Sequence, residues 1–514
     1  TQKYSQWSLS IIRKALIGML VLACFAIVDG AMGLKIPTGF IPNEDYGFFF
    51  LNLQLPATSS LERTDAVCRK VEEMLAHTEG IKSYTTVAGF SLLTRVSASY
   101  NGFFFVMLKP WDERISKKSQ VEAIVNGLNK RLFVEIPGAR SFAILPPAIP
   151  GLGTSGGFSF WLQDKSGGSI QYLDENLKKF LAACKKRPEL LNVTSQFSAT
   201  VPQIYVDVDR EKVLKQGVAI TDVYQTLQAY LGSIFVNQFN RFGRQWDVFV
   251  EAEGADRKNE ESIKQFYVRN NKGQMVPLAG LVTLKKIFGV EYTNRFNLYR
   301  AAQVIGSPAP GYSSGQALAA LEEVAKETLP LNMGYDYSDL SFQEKTVAGT
   351  AGPIFALSII VVFLILAALY ESWSLPFSVL LSVPIAIFGA FLGLFMRHFD
   401  LNIYSQVGLI MLIGLSAKNA ILIVEFAKIE KEKGRDVIEA ALEGARLRLR
   451  PIIMTSFAFI LGCLPLWFAT GSGSVARQVL GTVVIAGMLA ATLLAIFIIP
   501  ALFVIIERPA KKKI

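Results

Sequence analysis

Six long apolar runs constrain this sequence more than any other feature. They fall at roughly 14–34, 350–370, 376–396, 404–425, 451–470 and 478–506. Each is near the ~20 residues that an α-helix needs to cross a bilayer. Backbone groups in hydrocarbon must satisfy one another, so runs of this kind fold as helices. The first run does not read as a signal peptide, because no small-residue cleavage site follows and amphipathic sequence continues without a break. At 514 residues and 51% hydrophobic, the chain is too long for one ordinary domain and too apolar for an ordinary soluble protein.

The net charge of +10 invites a nucleic-acid reading, but its distribution argues for a membrane instead. Lys3, Arg13 and Lys14 precede the first run. Lys428, Lys431, Lys433, Arg435, Arg446, Arg448 and Arg450 lie between the fourth and fifth, and Arg508, Lys511, Lys512 and Lys513 follow the last. Only Arg397 and Arg477 fall in the short loops on the other side. This is positive-inside bias, and it predicts both termini in the cytoplasm with no nucleic-acid partner. The same topology places 35–349 outside the cytoplasm as one insertion.

That insertion alternates strand and helix patterns. Phe49, Leu51, Leu53 and Leu55 alternate with Phe50, Asn52 and Gln54, as in a half-buried strand. A helix over 60–75, strands at 83–87 and 102–108, a helix over 119–132 and a strand at 141–144 complete a β-α-β-β-α-β set. The order recurs weakly: strand 157–163, helix 171–186, strands near 190–208, then helix 314–328 and strand 333–339. Both sets predict α+β units of split βαβ, ferredoxin-like type. Between them, about 210–306, lies a third region. Its stretch "VNQFNRFGRQW" (236–246) is a projecting hairpin or loop, serving either as plain surface or as an intersubunit contact.

Several chemistries lack their residues. Gly151, Gly153 and Gly156 spell G-x-G-x-x-G, but they follow Pro146, Pro147 and Pro150 and lead into a strand, whereas a dinucleotide site needs a helix there. The sequence has no P-loop for ATP. His77 and His398 are its only histidines, which argues against histidine catalysis or a histidine metal site. Cys24 and Cys463 fall in apolar runs, while Cys68 and Cys184 read as packed free thiols on helices. The reading is a non-enzyme without cofactor or bound metal.

One charge is out of place. In "GLSAKNAILIVEFAK" (414–428), Lys418 interrupts an apolar run. A charge at mid-membrane costs roughly 2.5–3.5 kcal/mol on insertion scales. Such a lysine pairs, snorkels, loses its proton, or binds carbonyls and hydroxyls within a helix bundle. Lys428 is ten residues away, or about 15 Å along a helix, so full snorkelling is difficult. Glu425 sits too far along the same helix for a direct pair, and Glu371 lies at the mouth of the second run. Asp29 differs from Lys418 in depth by about 10–15 Å. Identical copies would lack the same acid, so the partner is expected on a segment absent from this chain. Arg448, at the predicted start of the fifth run, and Thr455, inside it, are either an anchor and a backbone-bonded hydroxyl or members of a titratable patch with Lys418.

The stretches "GLSAKNAILIVEFAK", "RLRPIIMTSFAFILG", "LAALYESWSLPFSVLLSVP" and "FIPNEDYGFFFLNLQLP" together resemble the resistance-nodulation-division multidrug efflux pumps, hydrophobe/amphiphile subfamily. The resemblance covers essentially the whole chain and only the C-terminal half of such a pump. It implies a homotrimer in the inner membrane of Gram-negative cells that exports amphiphilic drugs against the proton gradient. A periplasmic membrane-fusion adaptor and an outer-membrane channel would be its partners, with membrane lipid around it. The missing N-terminal half would supply paired membrane aspartates facing Lys418. Arg448 and Thr455 match the remaining proton-relay positions. The division implied is 1–34 as linker and first transmembrane helix, 35–165 as one porter subdomain, 166–210 with 307–345 as the second, 211–306 as docking subdomain, and 346–514 as five further transmembrane helices and a tail.

Drug-pocket and switch-loop positions of the family fall on Thr85, Val87, Gly89, Phe90, Leu92, Phe105, Phe142 and Ile144. Here the loop "AGFSLLTRV" has one glycine and carries Leu92 and Leu93, while Thr85 and Ile144 replace common phenylalanines. Ser195 stands at the place of an arginine that some members carry at the periplasmic mouth. A metal-exporting relative would want clustered Met or Cys ligands, and Met74, Met107, Met275 and Met333 do not cluster. Because the chain begins at Thr1 and lacks the acids, the alternative is a half-subunit that binds or assembles and cannot transport alone.

Overall fold

The computed structural model describes residues 2–13 and 15–507, so Thr1, Lys14, Arg508 and Lys511 to Lys513, read above for charge and chain start, lie outside the described residues. A helix that the apolar pattern does not announce, α1 (Gln2–Arg13), precedes α2 (Ala15–Lys35). It is anchored at one end by the buried Tyr4, whose hydroxyl donates to the Ile496 carbonyl at 2.9 Å.

The first α+β unit has the expected order: β1 (Phe48–Gln54), α3 (Leu61–Ala76), β2 (Ile81–Ser91), β3 (Val96–Leu108), α4 (Val121–Glu135) and β4 (Arg140–Ile144). Ser60 caps α3 by accepting the Arg63 N–H at 3.3 Å. The strands run antiparallel in the order β2-β3-β1-β4. Phe49, Leu51, Leu53, Phe104 and Val106 are fully buried in one cluster with Val71 and Leu75 of α3 and Leu128 and Leu132 of α4. Side chains alternate across a strand, so the residues between them must lie on the other face.

The second unit begins with β5 (Phe158–Asp164), α5 (Ile170–Cys184) and β6 (Leu190–Thr194). The intervening region follows as a compact unit of its own, Ser198–Tyr292. It contains β7 (Val201–Val208), α6 (Arg210–Lys215), α7 (Ile220–Leu227), β8 (Ile234–Arg241), β9 (Arg244–Val250), β10 (Tyr267–Arg269), β11 (Met275–Pro277) and β12 (Val282–Gly289). Then β13 (Asn294–Phe296), β14 (Tyr299–Pro308), α8 (Ser314–Thr328) and β15 (Met333–Tyr337) complete the second unit, followed by α9 (Asp339–Val347).

Two strands fall on other sides of the boundary than the sequence reading places them. β7 pairs with β12 rather than joining β6, and β14 pairs with β5 and β6 rather than belonging to 211–306. Strand partners lie far apart along the chain, and local periodicity carries no information about which edge a strand will find. In the second sheet β15, β5, β14 and β6 are neighbours in that order, the same split βαβ arrangement as the first.

The remaining helices are α10 (Ala351–Tyr370), α11 (Leu375–Leu380), α12 (Val383–Arg397), α13 (Ile403–Glu432), α14 (Val437–Trp467), α15 (Ser474–Ala490) and, after a π-helical turn over Ala491–Ala495, α16 (Ile496–Glu507). Among the described residues, six helical stretches are long and apolar enough to cross a membrane. The third apolar run is two helices rather than one. It breaks just before Pro384, which has no N–H and whose ring clashes with the carbonyl four residues back. The fifth run is only the second half of α14, which starts at the Asp436 cap, so Pro451 lies inside the helix. Its polar first half folds because Ala440, Ala441, Gly444 and Ala445 are buried and Gly444 closes on α13. A Cβ on Gly444 would stand 2.6 Å from the Ala427 nitrogen, so only glycine permits this approach.

Candidate functional site

Lys418 lies midway along α13, between the buried Ala417 and Asn419, and is itself exposed. It shares an outward stripe with Val407, Met411 and Gly414, spaced three or four residues apart. On the adjacent α14, Leu447, Met454, Phe457 and Leu461 are likewise exposed. The lysine therefore sits on an open apolar face at the depth of the bundle. Among the described residues it forms no hydrogen bond and no ion pair.

The acids considered for it stay apart. Glu371 is the left-handed residue that ends α10, and Glu425 is exposed two turns further along α13. Asp29 is buried on α2, and its Oδ1 has no hydrogen-bond partner. Phe25, one turn before it, meets Phe388 of α12 with ring centroids 5.0 Å apart, and Gly33, one turn after it, lies against Phe391.

Arg448 and Thr455 do not bond to Lys418 or to each other. The Arg448 guanidinium lies 3.5 Å over the Phe426 ring, a cation–π contact to α13, and its Nε is buried without a hydrogen bond. Arg448 stands three turns inside α14 and not at its start, because that helix begins at Val437. Thr455 donates to the Ile452 carbonyl of its own helix at 3.2 Å. The polar link between α13 and α14 is instead Asn419, whose amide donates to the Ser456 hydroxyl at 3.1 Å with both residues buried. The reading of the sequence missed this pair. Its signal is present, since Asn419 directly follows Lys418 and Ser456 directly follows Thr455.

A second constellation lies on the first α+β sheet. Phe105 pairs with both Thr85 and Phe50, Phe50 with Ile144, Phe103 with Val87 and Asn52, and Asn52 with Phe142. Cross-strand partners share a face, so Thr85, Val87, Phe105, Phe142 and Ile144 stand together opposite α3 and α4. The register adds three residues that the sequence reading does not place in the pocket: Phe48, Phe50 and Phe103. Phe48 stacks on Phe105 at 5.0 Å, and Phe50 meets Phe103 and Phe105 at 5.6 and 5.7 Å. The signal for them was the alternation in β1, because burying Phe49 and Leu51 turns Phe48 and Phe50 outward. The result is a half-exposed aromatic wall with few polar groups, the lining that suits lipophilic ligands.

The expected loop over 88–96 is largely the end of a β-hairpin. β2 runs to Ser91, and only 92–95 form the turn, so Leu92 lies at its tip and Phe90 pairs with Ser97. Gly89 has φ +85° at the register shift between Ala88 and Phe90, a backbone shape that favours glycine. Ser195 is buried, and its hydroxyl donates to the Gln303 carbonyl at 2.6 Å, so it packs inside the second unit. Gly151 and Gly153 sit at positive φ in turns and bends leading into β5, with no helix to receive a pyrophosphate.

Apolar helices of membrane-crossing length are thus joined to paired split βαβ units, one of them with an aromatic face. The sequence profile of the AcrB/AcrD/AcrF family matches residues 1–507, and the chain belongs to that family. It is 42% identical over 491 residues to the multidrug/solvent efflux pump membrane transporter MepB of Pseudomonas putida, covering 95% of this chain and 46% of that protein. It is 40% identical over 501 residues to the multidrug export protein AcrF of Escherichia coli K12, covering 96% and 48%. The multidrug resistance protein MdtF of the same strain matches at 37% over 514 residues, covering 99% and 49%. The chain thus spans about half the length of these relatives.

Proposed function

We propose that this chain is the C-terminal half of a proton-coupled exporter of amphiphilic and hydrophobic compounds. In this reading six spans sit in the inner membrane and the two α+β units stand in the periplasm. The intact pump is a homotrimer working with a periplasmic adaptor and an outer-membrane channel. Its relatives' names, which include multidrug and solvent efflux, support the substrate class. The observation that carries the coupling is Lys418, exposed on an apolar face of α13 with no acid beside it among the described residues.

A carboxylate delivered to that face from the other half would pair with the ammonium. In a low-dielectric setting this pairing offsets the cost of both charges. Protonating the carboxylate removes the attraction and releases the lysine, and α13 then relaxes with its neighbours. Arg448 and Thr455 lie on the helix packed beside α13 and would respond to the same switch. The aromatic wall would hold the exported compound. The drive is the proton gradient, with no cofactor.

In the intact pump Lys418→Ala is expected to abolish export while folding and trimer assembly stay near normal. Drug accumulation in cells carrying the variant measures this. Accumulation equal to that of wild type would overturn the charge-switch reading.

A further inference from the structure

The segment joining α2 to β1 holds two consecutive acids, Glu44 and Asp45, in a stretch without regular structure. Glu44 is buried and turns to the helical bundle. Its two carboxylate oxygens accept the Val475 N–H at 3.2 Å and the Ala476 N–H at 2.8 Å, in the first turn of α15. These amides have no acceptor within their own helix, and the positive end of the helix dipole favours the carboxylate there.

Asp45 turns to the first α+β unit. It receives a two-pronged hydrogen bond from Arg114, at 2.8 and 3.2 Å. Arg114 lies in the loop after β3, its side chain is 1% exposed, and it also donates to the carbonyls of Lys109 and Ser119. Trp111 of the same loop donates to the Asp45 carbonyl at 3.2 Å, and a Cβ placed on Gly471, just ahead of α15, would stand 4.0 Å from its indole. Three residues beyond Asp45, β1 begins with Phe48 of the aromatic wall.

On the other side, α15 packs against the helix that carries Lys418. A Cβ on Gly408 of α13 would stand 3.0 Å from Val483 Cγ1, and Leu412 lies against Gly487. The chain of contacts is therefore continuous from α13 through α15 to Glu44, Asp45, Arg114 and β1.

We propose that Glu44 and Asp45 are positioning residues that lock the first turn of α15 to the loop after β3, so that a shift of α15 reaches the aromatic face of the first sheet. The purpose assigned to the lock rests on the transport reading above; its geometry does not. Two carboxylates on adjacent residues form a short, stiff joint. Neither swings freely, because the Glu44 carboxylate accepts two hydrogen bonds and the Asp45 carboxylate three, the third from the Gly47 N–H at 2.8 Å.

The test uses hydrogen exchange on the full-length protein in lipid. Glu44→Gln, which keeps size and one acceptor, is expected to speed exchange of the Val475 and Ala476 amides about tenfold. The decisive variant is Arg114→Lys, with Asp45→Asn as its substitute should the former fail to fold. Arg114 is bonded to Asp45 and not to α15, yet its loss is expected to speed the same two amides about threefold. Unchanged exchange there would overturn the joint, since a merely local role for Arg114 leaves α15 untouched. A parallel assay follows export by the intact pump. Glu44→Gln is expected to lower the maximal export rate about fivefold with drug affinity unchanged, and a wild-type rate would overturn the transmission role. Should wild-type protein show no proton-driven export, the transport reading fails while the exchange result still decides the joint.

Discussion

Glu344 and Lys418 show how differently two charged residues meet low dielectric. Lys418 stands at bundle depth with an open side. Glu344, on α9 outside the helical stretches of membrane-crossing length, is drawn inward and accepts the Ser314 hydroxyl at 2.8 Å. Burial raises its pKa above the ordinary carboxylate value, while the Ser314 bond and nearby Lys345 only partly offset this. The folded protein therefore binds a proton there more readily than the unfolded chain does. Its contribution to stability grows as pH falls through the raised folded pKa towards about 4.3, and its charge is a cost at neutral pH. Glu344→Gln keeps the acceptor and removes the charge. It is expected to raise the melting temperature at pH 7 and flatten the gain on acidification, as measured by thermal unfolding across pH 4–7. No change at pH 7 would contradict the assignment.

At the scale of elements, the pairing of α13 with α14 decides where the site lies. Among the features that hold it are the close approach at Gly444 and the buried Asn419–Ser456 hydrogen bond. Gly444→Val would drive a branched side chain into the Ala427 backbone, and overpacking of this kind typically costs about 1–3 kcal/mol. The same change at Gly462, further along α14 with nothing within 4 Å of its Cβ position, is the control. Thermal unfolding in detergent should separate the two, and equal melting temperatures would rule out the packing argument. Asn419→Ala leaves the Ser456 hydroxyl without its partner in a buried site, and about 1–3 kcal/mol of stability is expected to be lost.

The whole molecule presents one surface that is hard to reconcile with isolation. In the Ser198–Tyr292 unit, β8 and β9 form a hairpin whose turn places Phe242 and Gly243 at φ +55° and +70°. Two such residues make the twisted turn that suits antiparallel strands. Phe235, Phe239, Phe242, Trp246 and Phe249 are all exposed on it. A two-stranded ribbon is marginal by itself in water, and exposed aromatics on that scale mark a contact surface. In the homotrimer proposed above, shortening the hairpin by removing 238–245 is expected to yield monomers without unfolding the rest. Native mass spectrometry reads the outcome, and an intact trimer would remove the hairpin from the assembly.

Much of this protein was settled by its sequence. Apolar run length determined the helices suited to a membrane, because a backbone in hydrocarbon has few folds open to it. The two-residue alternation in β1 determined which phenylalanines would be core. The oddity of Lys418 was legible too, since its cost depends only on its neighbours along the run. Tertiary structure decided what depends on partners distant in sequence: β14 beside β5, β7 beside β12, and Asn419 rather than Thr455 as the link to the next helix. It also assembled the aromatic wall from four strands, and it turned Glu44 and Asp45 to opposite sides. Each outcome follows from register or from a side chain's direction, and neither is fixed until the surfaces on both sides are in place.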